Sequence, residues 1–362
     1  MNFINNLETP KFDFHDIALV PSVLSKIESR SEIKLPSLLP LIASPMNSVL
    51  SIKKENRFHE EFLNSLLKQM IVCVPRNYEY STYTELFKYS SLNKSMFKSI
   101  SLQEFRLIET DFDAFQNLIL DSECILVDIA NGHMWKLLDL SKIFIKKFKT
   151  KKLMIGNIAN PHTYDAFAKI GVHYCRIGIG GGSVCTTSAN ASIHYPMASL
   201  IYECNQIRIA NAYKSLIVAD GGFKNFADII KGLALGADYI MLGGILNKCL
   251  DSDSYPYLWK KIKITDMSLA KWLYKNKFSL HKRHVGMSTK EVQKIWGNYK
   301  LKTSEGIAKW NKVEYTFDGW VENFNDYLKS TMSYLNCKDL DELKEKATFV
   351  FITENSFRRF HK

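Results

Sequence analysis

The segment Gly178 to Thr187, GIGGGSVCTT, sets one cysteine, Cys185, after four glycines and ahead of two threonines. Glycine lets the backbone take positive φ and come close to a ligand. Successive N–H groups in such a loop form a nest for an anion, and its carbonyls can hold a monovalent cation. A thiol at the end of the loop attacks an electrophile once its pKa is lowered. Most cysteines are small buried hydrophobes; the glycines are what make Cys185 a candidate nucleophile.

Two double glycines follow, in ADGGF (219–223) and LGG (242–244). Glycines there offer N–H donors to a phosphate with no side chain in the way. Asp220, ahead of Gly221 and Gly222, can accept from ribose hydroxyls. One double glycine is no more than a tight turn; two at consecutive strand ends carry more weight. GMS (286–288) and TSEG (303–306) complete the series. Glu305 is the single carboxylate between Glu291 and Glu314, although SEG alone reads equally as a turn.

A scaffold must bring these residues together. Short apolar runs recur at 39–44, 70–74, 96–101, 124–129, 152–158, 173–179, 215–220 and 238–243. Between most of them lie amphipathic helical patterns, such as 137–148, 161–171 and 226–237. Continuous apolar strands alternating with helices indicate a parallel sheet covered by helices. Eight near-even units favour closure into a (β/α)8 TIM barrel over a doubly wound sheet. Asp128, Asn131, Asn157, the glycine loop, Asp220 and Gly243 then follow the C-terminal ends of predicted strands, the face that carries the active site in such barrels. Residues 1–35 read as an N-terminal arm. Residues 251–325 read as a charged, tryptophan-bearing segment, followed by predicted helices at 321–335 and 340–347. With no convincing linker and no repeats, 1–362 is expected to be a single barrel domain.

Composition narrows the function. Hydrophobic residues make up 46% and charged residues 23%, ordinary for a soluble globular protein. No run reaches the roughly 18 uncharged apolar residues that span a bilayer, and the N-terminus lacks the pattern of a secretory signal, so no membrane association is expected. Seven cysteines, scattered and with no CxxC pair, argue against a disulfide framework and a zinc site, and for a reducing cytoplasm. The net charge of +11 admits nucleic acid or a phosphorylated substrate. The lysines are spread along the chain and the one dense cluster, KKFKTKK (146–152), reads as a solvated helix end, so no nucleic-acid partner is expected.

In this order the motifs resemble the family of IMP dehydrogenases and GMP reductases, over nearly the full length. FDFHDIALVPS (12–22), SPMNSV (44–49), VDIANG (127–132), GIGGGSVCTT, ADGG, MLGG, GMS and SEG carry the resemblance. STMSYLNCKDLDEL (330–343) and ATFVFIT (347–353) resemble the family's C-terminal helix region. Only residues 75–95 separate MIVCV from MFKSIS, leaving no room for the dehydrogenases' regulatory repeats, and 289–302 is short and lacks a flap arginine. The chain is therefore more similar to the reductase branch.

That resemblance implies NADPH-dependent reductive deamination of GMP, or a closely related guanine nucleotide, to IMP and ammonia. It implies that Cys185 attacks the purine C2 to give a covalent thioimidate, and that Thr187 with Glu305 relays the proton that an amine needs to leave. Ser183, Gly222, Gly243 and Gly244 are then expected at the 5′-phosphate and Asp220 at the ribose. Ser44, Met46, Gly286, Met287, Ser288, Lys302 and Gly306 are expected around the rest of the nucleotide. Arg76, Asp128, Ala130 and Asn131 would face the cofactor. The carbonyls of Gly180, Gly182 and Cys185 would ligate a potassium-type ion, and the assembly would be a homotetramer.

Several positions depart from the family pattern. Gly181 replaces a proline, Ser188 an arginine, Val285 a phosphate-touching tyrosine and Lys302 a base-contacting arginine. Asn47 replaces an aspartate, Pro75-Arg76 a His-Lys pair, and SLQEF (101–105) a Gly/Thr-rich turn. Lysine does not reproduce arginine's bidentate fork. The changes fall on the cofactor side and the nucleotide periphery, so the expectation is retained chemistry with an open purine or cofactor preference. NAD-dependent IMP oxidation without regulatory repeats and a non-catalytic purine-nucleotide-binding barrel stand as alternatives.

Overall fold

A computed structural model of the chain describes residues 10–50, 58–76, 95–295 and 306–360. Eight parallel strands close into a barrel in sequence order. They are Leu41–Ala43, Ile71–Val74, Met96–Ile100, Cys124–Asp128, Lys152–Ile158, Tyr174–Ile177, Leu216–Asp220 and Tyr239–Leu242. Each falls inside an apolar run read from the sequence, and the first closes on the eighth through Leu41↔Ile240 and Ala43↔Leu242.

Side chains alternate across each strand, which divides the core in two. Ile42, Cys73, Phe97, Leu126, Met154, Tyr174, Val218 and Met241 belong to one buried cluster, with a member from every strand, and fill the barrel. Their neighbours in sequence, such as Ala43, Val74, Val127, Cys175, Ala219 and Leu242, belong to the other, which lies under the helices. The crossover helices include Trp135–Lys147, Pro161–Lys169, Met197–Ala210 and Phe226–Ala234. Polar side chains start several of them: Asn160 accepts from His162 N ahead of Pro161, and Asn225 from Asp228 N. Lys147, in the basic cluster at one helix end, lies 3.6 Å from the centre of the Phe112 ring. None of the described helices is long and apolar enough to cross a membrane.

Two regions differ from the sequence expectation. ATFVFIT, expected in a C-terminal helix region, holds a strand, Thr348–Phe351, antiparallel to Ile17–Val20 of the N-terminal arm. Its β-branched and aromatic residues suit a pleated surface, and Phe12 packs on Phe349 and Phe351 at 5.6 and 5.1 Å between ring centroids. Helices Phe317–Tyr334, Leu340–Lys346 and Glu354–Phe360 surround it in sequence. The charged segment after the eighth strand folds into a four-stranded antiparallel sheet, ordered Ile262–Lys263, Pro256–Leu258, Leu280–Val285, Ala308–Lys312. Its alternation was hidden because the buried face of LHKRHV carries Leu280, Lys282 and His284, two of them polar. Lys282 is satisfied there by Leu250 O at 2.9 Å, Ser252 O at 2.6 Å and Ser252 Oγ at 2.9 Å.

Candidate active site

Alternation along the strands places charge at the top of the barrel interior. Asp128 follows the inward Cys124 and Leu126, Arg176 follows Tyr174, and Asp220 follows Val218. Arg176 Nη1 donates to Asp128 Oδ1 at 2.7 Å, and its Nε donates to Asp220 Oδ2 at 3.0 Å. Arg176 Nη2 lies 2.9 Å from the same Asp220 oxygen, and Arg76 Nε lies 3.0 Å from Asp128 Oδ2. Asn157 Nδ2 donates to Asp220 Oδ2 at 2.7 Å and to Gly178 O at 2.8 Å. Arg176 is 7% exposed. Burial works against its charge, but Asp220 and Asp128 outweigh it and hold the guanidinium above its ordinary pKa.

The glycine loop leaves the sixth strand beside this network. Gly178, at φ +124°, donates its N–H to Ile158 O at 2.7 Å. Cys185 is half-buried and unbonded to other cysteines; its Sγ donates to Thr187 Oγ1 at 3.3 Å. Three distant motifs are stitched together there. Cys185 forms an antiparallel bridge with Gly306. Ile307 N donates to Val184 O, and Gly286 N to Ile307 O, both at 3.0 Å. A Cβ on Gly286 would lie 2.8 Å from Val184 O, so only glycine allows this approach. Glu305 and Lys302 lie outside the described residues; Gly306, the sequence neighbour of Glu305, is the residue that meets Cys185.

The glycine pairs form a further part of the lining. A Cβ on Gly181 would lie 3.2 Å from Gly222 N, so the loops after the sixth and seventh strands touch backbone to backbone. A Cβ on Gly243 would lie 3.0 Å from Met46 Sδ and 3.1 Å from Ser44 Oγ. The Ser44 hydroxyl is buried and has no hydrogen-bond partner among the described residues. A Cβ on Gly244 would lie 3.0 Å from Ser183 Oγ and 3.6 Å from His284 Nε2. His284 Nδ1 shares a 3.0 Å hydrogen bond with Ser48 Oγ, and burial followed by the nearby Lys309 pushes its pKa down to about 4.

These walls enclose a cavity of about 430 Å³. Ser44, Met46, Arg76, Asp128, Ala130 and Thr187 line it, as do Cys185 with Gly180, Gly182 and Ser183. So do Asp220, Gly222, Gly243, Gly244, Gly286, Met287 and Ser288. Asn131 and Gly306 do not line it: Asn131 is exposed and its Oδ1 accepts from His133 N at 3.0 Å. Six lining residues carry charge or a polar tip that the motifs did not indicate: Arg176, Lys224, Lys248, His284, Lys309 and Asn311. The alternation of YCRI after an inward tyrosine is the signal for Arg176. His284 and Lys309 had none, because their sheet was not legible.

The arrangement places a thiol, a hydroxyl and a carboxylate–guanidinium network around a cavity with a glycine-rich end. That suits attack on a flat electrophile whose anionic tail rests on the glycines. Comparison with known proteins identifies the family. Residues 109–362 match the model of the IMP dehydrogenase / GMP reductase domain. The chain is 25% identical to the GMP reductase of Onchocerca volvulus, over 97% of its length and 93% of the relative's. It is 27% identical to GMP reductase 2 of Mus musculus, over 95% of each. It is 30% identical to the inosine-5′-monophosphate dehydrogenase of Chlorobaculum parvum, over 66% of this chain and 47% of that protein.

Proposed function

Because this chain belongs to the IMP dehydrogenase / GMP reductase family, we propose that it reductively deaminates GMP, or a closely related guanine nucleotide, to IMP and ammonia. The observation that carries this reading is the stitching of the Cys185–Thr187 loop to Gly306 and Gly286 at the mouth of one cavity. Full-length likeness to proteins named GMP reductase supports the same branch.

The purine C2 is electron-poor, and Cys185 Sγ, deprotonated to the thiolate, bonds to it. The C2–amine bond then breaks, leaving a thioimidate. Ammonia departs only as its nitrogen gains a proton, and the Thr187 hydroxyl, 3.3 Å from the thiol, is the group placed to pass one on. Glu305 is the carboxyl that would supply this proton through a hydroxyl whose own pKa is too high to do so alone. When bound, NADPH supplies the hydride that C2 requires. The carbon–sulfur bond then breaks, and the thiolate and IMP are released.

The substrate's anchors follow from the walls. Ser183, Gly222, Gly243 and Gly244 take the 5′-phosphate, and Ser44 offers its unpartnered hydroxyl. Asp220, held through Oδ2 by Arg176 and Asn157, has no such bond to Oδ1 among the described residues, which leaves that oxygen for a ribose hydroxyl. Met46, Gly286, Met287 and Ser288 surround the base, with Lys302, outside the described residues, as a further candidate. The cofactor would lie along Arg76, Asp128 and Ala130, with the exposed Asn131 next in sequence outside the cavity lining. For a potassium-type ion, Gly180 O already accepts from Ser188 Oγ at 3.2 Å and Gly182 O from Cys185 N at 3.0 Å. A carbonyl has two lone pairs, so these two, with Cys185 O, retain one each for the ion. A homotetramer and a cytoplasmic setting complete the proposal.

The test is turnover of GMP with NADPH, followed by cofactor absorbance together with ammonia release. We expect activity that disappears in Cys185→Ala, and loss of deamination with retained GMP binding in Glu305→Gln. Reduction of NAD by IMP in place of this reaction would assign the chain to the dehydrogenase branch. Nucleotide binding without either reaction would leave a binding barrel.

A further inference from the structure

The charged residues lining the cavity fall into two groups. In the first, Arg76 and Arg176 face Asp128 and Asp220, and the charges cancel. The second is Lys224, Lys248 and Lys309. Among the described residues the one carboxylate paired with these lysines is Glu314, 2.9 Å from Lys248 Nζ.

Lys309 stands apart from its neighbours. It lies on the strand Ala308–Lys312, directly opposite His284 in the antiparallel register. His284 Nε2 and Ser183 Oγ both approach the point where a Cβ on Gly244 would sit, at 3.6 and 3.0 Å. Lys309 therefore flanks the place where a hydroxyl, an imidazole and a glycine backbone converge. It has no anionic partner among the described residues. Burial, and then the like charge of Lys248, push its pKa below the ordinary lysine value. A partly desolvated cation facing another cation is unfavourable until an anion arrives. Val285, next to His284, offers no donor of its own side chain.

From this convergence we propose that Lys309 is the residue that recognises the substrate's 5′-phosphate, with Lys248 alongside it. A lysine acts on phosphate as a mobile point charge, and the Ser183 hydroxyl and glycine N–H groups set the orientation. The recognised chemistry is a dianionic phosphate ester of a sugar, whatever base the sugar carries. The inference rests on reading the cavity as a nucleotide site.

The experiment titrates wild type, Lys309→Met and Lys309→Arg with GMP, guanosine and ribose 5-phosphate. In Lys309→Met, GMP and ribose 5-phosphate should bind about 10- to 100-fold more weakly, as expected for one charge-assisted hydrogen bond. Guanosine affinity and the melting temperature should hold, and Lys309→Arg should recover most of the loss. In turnover, KM for GMP should rise while kcat is kept. Wild-type affinity for ribose 5-phosphate in Lys309→Met would overturn the assignment, as would a parallel loss of guanosine binding. If wild type binds ribose 5-phosphate but not GMP, the guanine reading fails while Lys309 is still tested through the sugar phosphate. If wild type binds neither, the assignment falls with it.

Discussion

Arg176→Met probes the charge network at the top of the barrel. In the wild type two guanidinium groups face two carboxylates. Methionine keeps much of the aliphatic volume but removes three contacts: 2.7 Å to Asp128, and 3.0 and 2.9 Å to Asp220. Asp128 keeps Arg76 at 3.0 Å, whereas Asp220 keeps, among the described residues, only the Asn157 amide at 2.7 Å. The penalty therefore falls on Asp220. Breaking a buried pair costs about 3–5 kcal/mol. The Asp220 side chain is 18% exposed, so water softens the loss toward about 3 kcal/mol. Guanidinium unfolding followed by circular dichroism measures it. Asp220→Asn in the same chain removes the stranded charge and should restore about 2 kcal/mol, a coupling within the range for contacting residues. A single variant within about 1 kcal/mol of wild type, or strictly additive effects in the double variant, would refute the reasoning.

The remaining predictions concern the walls of the cavity. Burial, and secondarily Lys309, move His284 from 6.5 to about 4. The unfolded chain binds that proton more readily, so the stability contribution is present above the unfolded value of 6.5 and is lost as pH falls through 6.5 toward 4, by about 3 kcal/mol in all. Unfolding free energies of His284→Gln should fall less steeply over that window than those of wild type; parallel curves would exclude His284 as the cause. Gly178→Ala should destabilise by about 2 kcal/mol or more. Its Cβ would overlap the Asp220 carbonyl and come 2.5 Å from Met197 Cε, at a φ of +124°. Denaturant midpoints and GMP binding read out both the strain and the displaced Asp220; an unchanged midpoint contradicts the close approach.

The barrel was legible because buried parallel strands are written as unbroken apolar runs, and all eight runs are barrel strands. The antiparallel sheet was not, because Lys282, His284 and Asn311 occupy buried positions where a pattern reader expects apolar side chains. Each is rescued by partners far away in sequence: Lys282 by Leu250 and Ser252, His284 by Ser48, and Asn311 by Asn247. The same distance effect concealed the strand Thr348–Phe351, whose pairing partner is the N-terminal Ile17–Val20.

By itself the sequence determined the local chemistry: a thiol in a glycine loop, paired glycines at strand ends, and Asp128 and Asp220 at the C-terminal ends of strands. These depend on residue type and on short apolar runs, which operate within a few residues of chain. Only the tertiary structure decided that Gly306 and Gly286 meet Cys185, that Arg176 joins Asp128 to Asp220, and that His284 and Lys309 stand beside the glycines. Those meetings depend on barrel closure and on strand register, which set spatial neighbours that separation along the chain does not encode.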